Sequence, residues 1–145
     1  MSPSFIRNLA LLLARIGLGV VFMAHGWQKF HDNGLAGTAG GFAKMGVPVP
    51  TASAYFATFA ELVGGAALIL GAFTAVAGLL LFLDMLGAFA IVHISNGVFV
   101  GEGGYELVVA LGAGALLLAV FGAGKLSFDG VAGRKLGRAA GLAKV

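Results

Sequence analysis

Ionisable side chains stand inside four long apolar stretches of this chain, one in each stretch: Arg15, Glu61, Asp84 and Glu106. A charge at the centre of a membrane-spanning helix costs about 3 kcal/mol or more, so it normally faces protein or water and has a partner. Groups of this kind can neutralise one another, bind a polar part of a ligand, or carry protons. The functional groups are therefore expected in the interior of a helix bundle.

Depth in the bilayer divides the titratable residues into two levels when about 1.5 Å of rise per residue is counted from the presumed inner helix ends. Arg15, Glu61 and Asp84 fall near the middle of the bilayer. A second group gathers near the outer boundary and comes from different helices, which favours one outward-facing pocket. That group, predicted to bind a ligand or handle protons, consists of His25, Lys29, His93 and Glu106.

The middle level predicts a structural ion pair between Arg15 and Glu61. Helical spacing puts Glu61 on the same face as Gly64 and Gly65, where close packing is expected, so its carboxylate points inward. A guanidinium and a carboxylate form a favoured bidentate pair. Such a pair could act in function or merely maintain helix register, and both readings stay open.

Asp84 is predicted to face a different direction from His93. Nine residues of straight α-helix turn through about half a circle, which places Asp84 and His93 on opposite faces. We therefore favour His93 for the site and assign Asp84 to a neighbouring helix or a second subunit.

Simpler explanations exist for the outer group. His25 and Lys29 can extend their polar tips to water from an interfacial position, and Glu106 can stabilise the positive end of a helix dipole. Aromatic residues in the same region are typical of an interfacial belt, although they could also line a pocket for a quinone ring. These residues are Trp27, Phe30, Phe42, Tyr55, Phe56 and Phe59.

The amino-acid composition is typical of an integral membrane protein. The 145 residues are 59% hydrophobic and 10% charged, with a mean hydropathy of +1.00, which is far from a soluble domain. A spanning helix needs about 20 apolar residues. The sequence predicts an all-α, polytopic membrane protein, a four-transmembrane-helix bundle forming a single domain over 1–145. The predicted spans are 8–26, 54–73, 75–94 and 105–122. A short interfacial helix is also predicted from Thr38 to Met45, with Thr38 as its cap and Gly46 as its stop.

Charge placement orients the predicted bundle. The basic residues concentrate in a tail at 125–145, which predicts that both termini are cytoplasmic. The same clustering explains the pI of about 9.6 without a nucleic-acid partner.

The chain has no cysteine, which excludes thiol exchange and thiolate metal sites. We predict no metal site and no covalently bound cofactor.

Several ordered motifs resemble the DoxX family of small membrane proteins. They are Arg15-Ile-Gly17, His25 to Phe30, Phe42 to Pro48, Glu61 to Gly65, Leu70-Gly71, His93 before Asn96-Gly97, Gly104-Tyr105-Glu106, and Gly122 to Asp129. The resemblance covers nearly the whole chain from Arg15 to Asp129. It implies a bacterial inner-membrane four-helix protein linked to quinone chemistry or oxidative stress.

Three functions follow as alternatives. The leading one is an integral component of a quinone-linked redox system that binds quinone or a similar apolar ligand, as the subunit of an oxidoreductase. The second is a non-catalytic anchor that recruits soluble oxidoreductases, and the third is a small proton-coupled exporter. Lipid and oxidoreductase subunits are the expected partners, and a homodimer is left open.

Overall fold

The computed structural model describes residues 2–139, with side chains described as far as Lys135. Lys144 and the rest of the predicted basic tail beyond residue 139 lie outside the described residues. Six α-helices account for most of these described residues. They are α1 (Pro3–Trp27), α2 (Gly34–Lys44), α3 (Pro50–Leu70), α4 (Thr74–Gly87), α5 (Glu106–Phe121) and α6 (Phe128–Ala139).

The expected all-helical membrane fold is confirmed. Helices α1, α3 and α4, with their continuations, are long and apolar enough to cross a membrane, over Pro3–Asp32, Pro50–Leu70 and Thr74–Asn96. The fourth apolar helix, α5, is shorter at 16 residues. Helix α1 packs mainly on α3 and α4 mainly on α5, with α3 against α4 and α1 against α5 closing the bundle. Buried Phe22, Leu68, Leu81 and Leu118 occupy its centre.

Local sequence explains where the long helices begin and end. The Ser2 hydroxyl accepts a hydrogen bond from the Phe5 N–H, and Pro3 occupies the first turn of α1. Helix α3 begins at Pro50 and ends at Leu70, and Gly71 caps it with a φ of 67°, the left-handed conformation that glycine adopts without strain. The turn to α4 follows at once, so these two helices are antiparallel neighbours.

Two π-helical segments continue α1 and α4 at the end of the bundle opposite the connection between α3 and α4. The first (Gln28–Asp32) extends α1, and the second (Ala88–His93) extends α4. Residues 97–105 and α2 complete this end of the molecule, which we call the loop end. The opposite end, where α3 ends and α4 begins at residues 70–74, we call the base.

The interfacial helix was predicted with the wrong start. Helix α2 begins at Gly34, four residues before Thr38, and Thr38 lies inside it. The Thr38 hydroxyl donates to the Lys29 carbonyl at 3.0 Å, so it joins α2 to the first π turn and does not cap a helix. Gly46, with φ of 77°, does terminate this segment as expected.

Glycines bring α1 and α3 into backbone contact. A Cβ atom on Gly19 would lie 2.6 Å from the Gly65 carbonyl oxygen, and one on Gly65 would lie 2.8 Å from the Gly19 oxygen. Gly78 permits the same approach between α4 and α5, where its Cβ would meet the Ala115 oxygen at 2.7 Å. Close packing of small residues is the expected source of helix association in lipid. Gly17 and Gly87 have no such role, since no atom lies within 4 Å of a Cβ at either position.

The predicted ion pair between Arg15 and Glu61 is wrong. Arg15 is buried at the base, where Nη1 donates to the carbonyl oxygens of Leu68 at 3.3 Å and Ile69 at 3.2 Å, and Nη2 donates to that of Leu126. The last carbonyls of a helix have no intrahelical partner and carry the negative end of its dipole, which attracts a cation. Glu61 lies seven residues earlier on α3, about 10 Å away along the axis. The depth count placed Arg15 too deep, because the part of α1 that precedes Arg15 extends past the end of α3 and Arg15 itself lies level with Leu68 and Ile69.

The first turn of α6 holds the base together. Asp129 accepts hydrogen bonds from the N–H groups of Phe73 at 2.8 Å and Thr74 at 2.9 Å, and so caps the start of α4. Its own N–H donates to the Gly71 oxygen at 2.9 Å. Partial burial alone would raise the pKa of Asp129. The two backbone donors and the nearby Arg15 charge outweigh burial and hold this pKa below its usual range.

Candidate functional site: a cavity at the loop end

A cavity of about 660 Å³ lies at the loop end between α1, α3, α4 and α5. Its wall is mainly apolar, and its volume falls within the range of about 300 to 1,000 Å³ that is typical of small-molecule sites. Five titratable side chains reach it from three helices and their π-helical continuations. They are His25, Lys29, Glu61, Asp84 and His93.

An ion pair forms part of this wall. Lys29 Nζ lies 2.6 Å from Glu61 Oε2, with 19% of the Lys29 side chain and 4% of the Glu61 side chain exposed. The first π turn positions Lys29, and the Thr38 hydroxyl holds its carbonyl. Helix α3 presents Glu61 one turn from Ala57, whose small side chain leaves space in the cavity. The glycine contact between α1 and α3 sets the separation of these two residues.

Asp84 adds a second carboxyl group to the same cavity and lies close enough to Lys29 and Glu61 for their charges to interact. The expectation that Asp84 and His93 occupy opposite faces is wrong, because both line the cavity. A π turn contains one residue more than an α turn, which rotates the residues that follow by about 100°. The second π turn lies between these two positions and brings His93 toward the face of Asp84.

His93 also organises the loop above the cavity. Its Nδ1 lies 2.6 Å from the Gly103 carbonyl oxygen, and Asn96 Nδ2 donates to the same oxygen at 3.2 Å. A carbonyl oxygen only accepts, so Nδ1 carries a hydrogen. In the neutral ring this leaves Nε2 as an acceptor. His93 can therefore fix the loop and accept a hydrogen bond from a ligand at once.

Glu106 does not belong to the cavity. Its side chain is exposed, and Oε1 accepts a hydrogen bond from the Val100 N–H at 2.9 Å. This bond joins the start of α5 to residues 97–105, a structural contact that differs from the helix-dipole role considered for this position. Of the four residues predicted for the site, the structure brings together His25, Lys29 and His93.

Sequence reasoning therefore missed Glu61 and Asp84 as cavity residues. Glu61 was assigned to a structural pair with the wrong cation, and Asp84 to a different surface. A usable signal did exist in the sequence, because Glu61 was already expected to face inward on α3. The sequence did not show that Lys29 lies close enough to Glu61 to pair with it.

The aromatic residues divide between lining and surface. Phe42 and Phe56 line the cavity. Trp27 stacks on His31 with ring centroids 5.0 Å apart, and the exposed Phe30, Phe59 and Tyr55 continue this outer aromatic surface. The aromatic residues are thus divided between the cavity wall and an outer surface, and a quinone as the occupant of the cavity stays a prediction.

Comparisons with known proteins agree with this architecture. The DoxX family model matches residues 10–94, more than half of the chain. The chain is 31% identical over 129 residues to the Bacillus subtilis protein named "Putative oxidoreductase CatD", covering 89% of this chain and 90% of that protein. It is 32% identical over 99 residues to a Mycobacterium tuberculosis protein named as an uncharacterized membrane protein, covering 66% of this chain and 60% of the relative. No solved structure matches significantly.

Proposed function

Because this chain belongs to the DoxX family of membrane proteins, we propose that it is a membrane component of a redox system and that its loop-end cavity binds a quinone or a similar planar apolar ligand. The oxidoreductase name of the Bacillus subtilis relative supports the redox part of this proposal. The cavity supports the ligand part.

The observation that carries the proposal is the Lys29–Glu61 ion pair on the wall of an apolar cavity. An apolar wall suits a ring and the start of an isoprenoid chain, and a few fixed polar groups suit the two ring oxygens. The wall holds one ammonium group and two carboxyl groups. One carboxyl group therefore exceeds what Lys29 can neutralise, and it is available to a hydroxyl donor such as that of a quinol.

Each polar residue has a role in this proposal. Lys29 donates to a carbonyl oxygen of the oxidised ligand, while Glu61 and Asp84 accept from the hydroxyl groups of its reduced form. His93 accepts at Nε2, and His25, one helical turn before Lys29, stands at the same wall. No single one of these residues is proposed as a covalent catalyst.

Charge distribution supports an orientation for this site. Arg7, Lys125, Arg134 and Lys135 belong to the base, whereas Lys44 is the exposed lysine of the loop end. Short cytoplasmic segments collect Lys and Arg, so the base faces the cytoplasm and the cavity opens toward the outer leaflet. The membrane in question is the bacterial inner membrane, as the family resemblance implies.

Trp27 offers a direct test, since it is the single tryptophan of the chain and lies two residues before Lys29. Quinones quench tryptophan fluorescence when they bind nearby. We expect saturable quenching when a short-chain ubiquinone or menaquinone analogue is titrated into the purified protein in detergent. Asp84→Asn and Glu61→Gln should each weaken binding about tenfold, which corresponds to one charged hydrogen bond of about 1.4 kcal/mol.

Matched controls distinguish binding from partition into the micelle. Glu106→Gln makes the same chemical change as Glu61→Gln at an exposed position outside the cavity, so it should leave the affinity unchanged. Ala88→Leu adds volume to the cavity wall and should weaken binding regardless of charge. Linear, non-saturable quenching that is equal in all four variants would overturn the proposal.

A further inference from the structure

A second cavity of about 360 Å³ lies at the base and is separate from the redox site. It is a cleft between the first turns of α1 and the segment that joins α5 to α6. The residues around it combine two cations with an apolar floor. They are Arg7, Asn8, Leu11, Phe121, Gly124, Lys125 and Gly130.

The cleft has a fixed shape. Asn8 Nδ2 donates to the Ser4 carbonyl at 2.7 Å, and Asn8 Oδ1 accepts from the Lys125 N–H at 2.8 Å. Both ends of the Asn8 amide are thereby used, and Lys125 is held beside α1. Gly124 has φ of 77°, and a Cβ there would lie 3.0 Å from Asn8 Oδ1, so a larger residue would disturb the approach of this segment to α1.

The two cations have no acidic partner among the described side chains, whose ion pairs are Lys29–Glu61 and His31–Asp32. Asp129, the acid on the neighbouring α6, already accepts from Phe73 and Thr74. Arg7 and Lys125 are exposed, so their positive charges remain available to an anion from outside the protein.

Depth indicates what kind of anion the cleft receives. Arg7 stands eight residues before Arg15 on α1, about 12 Å further out along the helix axis. Arg15 lies at the end of α3, which places Arg7 at the level of lipid headgroups. Leu11 lies between these levels on α1, and Phe121, which lines the same cleft, is 70% exposed, as expected for a side chain against an acyl chain. Basic residues at such a position attract anionic lipid headgroups.

We propose that this cleft binds the phosphate of an anionic phospholipid headgroup through Arg7 and Lys125, with the acyl chains along Leu11 and Phe121. The exposed apolar residues Leu126, Phe128 and Val131 continue the same surface onto α6, beside Arg134 and Lys135. Helix α6 then lies against the membrane surface next to the bound lipid. Loss of redox ligand binding at the loop end would leave this site intact, so the two proposals fail independently.

Native mass spectrometry of the full chain, together with its thermal unfolding in detergent, tests this site. We expect phosphatidylglycerol to remain bound and to raise the unfolding midpoint by several degrees, because a ligand that binds only the folded state stabilises it. Phosphatidylcholine and inorganic phosphate, used at the same concentration, should produce little of either effect. An equal effect of phosphatidylcholine would overturn the role of charge, and an equal effect of phosphate would overturn the role of the lipid.

Charge variants locate the site. Arg7→Gln and Lys125→Gln should each weaken phosphatidylglycerol binding about fivefold, and both together more than either alone. The Lys125 substitution keeps the backbone N–H that binds Asn8, so the cleft retains its shape. Arg7→Lys, which preserves the charge, should retain most of the binding.

Two further variants serve as controls. Lys44→Gln removes one positive charge at the loop end and should have no effect. Arg134→Gln combined with Lys135→Gln removes two charges from α6 without touching the cleft. If the α6 variant abolishes binding while Arg7→Gln with Lys125→Gln preserves it, the assignment to the cleft is overturned.

Discussion

Lys29 Nζ lies 2.6 Å from Glu61 Oε2 and thereby connects the first π turn to the middle of α3. Both residues are largely removed from solvent, and both line the loop-end cavity. The same contact therefore contributes to the packing of the bundle and to the chemistry of its candidate site.

Removing one partner of this pair should be worse than removing both. A buried charge left without its counter-ion typically costs about 3 kcal/mol, whereas an uncharged pair of similar volume is often tolerated. We expect Lys29→Met to lower the free energy of unfolding by about this amount. Lys29→Met with Glu61→Gln should recover at least half of the loss. Reversible unfolding in mixed micelles measures both values, and equal losses in the single and double variants would contradict the prediction.

Arg15 and Glu61 should behave independently, because the structure places them in separate networks. Arg15→Met removes donors to three carbonyl oxygens and should cost about 3 kcal/mol, while the effect of Glu61→Gln should add to it within about 0.5 kcal/mol. The measurement is a double-mutant cycle on the unfolding free energy. A coupling energy above about 1 kcal/mol would restore the ion pair expected from sequence. Arg15→Lys should recover little, since one ammonium group cannot reach all three oxygens.

Asp129 should make stability depend on acid pH. Its pKa is lowered in the folded state, so its contribution is complete above the unfolded value of about 3.9 and is lost as the pH falls through the folded value. We expect Asp129→Asn to be less stable by about 1 kcal/mol at pH 7, as for the loss of a charged helix cap. Between about pH 4 and pH 2 the wild type should lose more of its stability than the variant. Parallel pH profiles for the two proteins would argue against this role.

Gly19 and Gly17 form a matched pair on α1. Gly19→Ala places a methyl group against the Gly65 carbonyl oxygen, a backbone atom that cannot move alone, so a cost of about 1 to 3 kcal/mol is expected. Gly17→Ala meets no atom within 4 Å and should leave stability unchanged or improve it by up to about 1 kcal/mol. Unfolding free energies of the two variants provide the comparison. A loss for Gly17→Ala as large as that for Gly19→Ala would refute a specific contact.

His93 should control the loop that follows α4. His93→Ala removes the hydrogen bond to the Gly103 oxygen, which should increase amide hydrogen exchange across residues 97–105. His31→Ala is the control, because His31 is exposed at the same end of the molecule and contacts Trp27 and Asp32. Hydrogen exchange with mass spectrometry resolves this segment. Unchanged protection in His93→Ala would show that the other contacts of this segment, among them those of Asn96 and Glu106, hold it without His93.

Residue chemistry and periodicity determined the class of the fold. Continuous apolar stretches of about 20 residues have few alternatives to spanning helices, because unpaired backbone groups are too costly in lipid. The same reasoning identified His25, Lys29 and His93 as neighbours, since they share a level near the helix ends. It also placed Glu61 on the packed face of α3, because Gly64 and Gly65 lie beside it.

Only the tertiary structure decided which charges meet. The register between α1 and α3 places Arg15 at the base, where it binds the carbonyl groups that end α3, and not in the middle of the bundle. One additional residue per turn in the second π turn rotated His93 toward the face of Asp84. Helix register and local winding depend on contacts between distant segments, whereas hydrophobic length and composition are properties of each segment alone. For that reason the sequence predicted the bundle and most of its site, but not the pairing of Lys29 with Glu61.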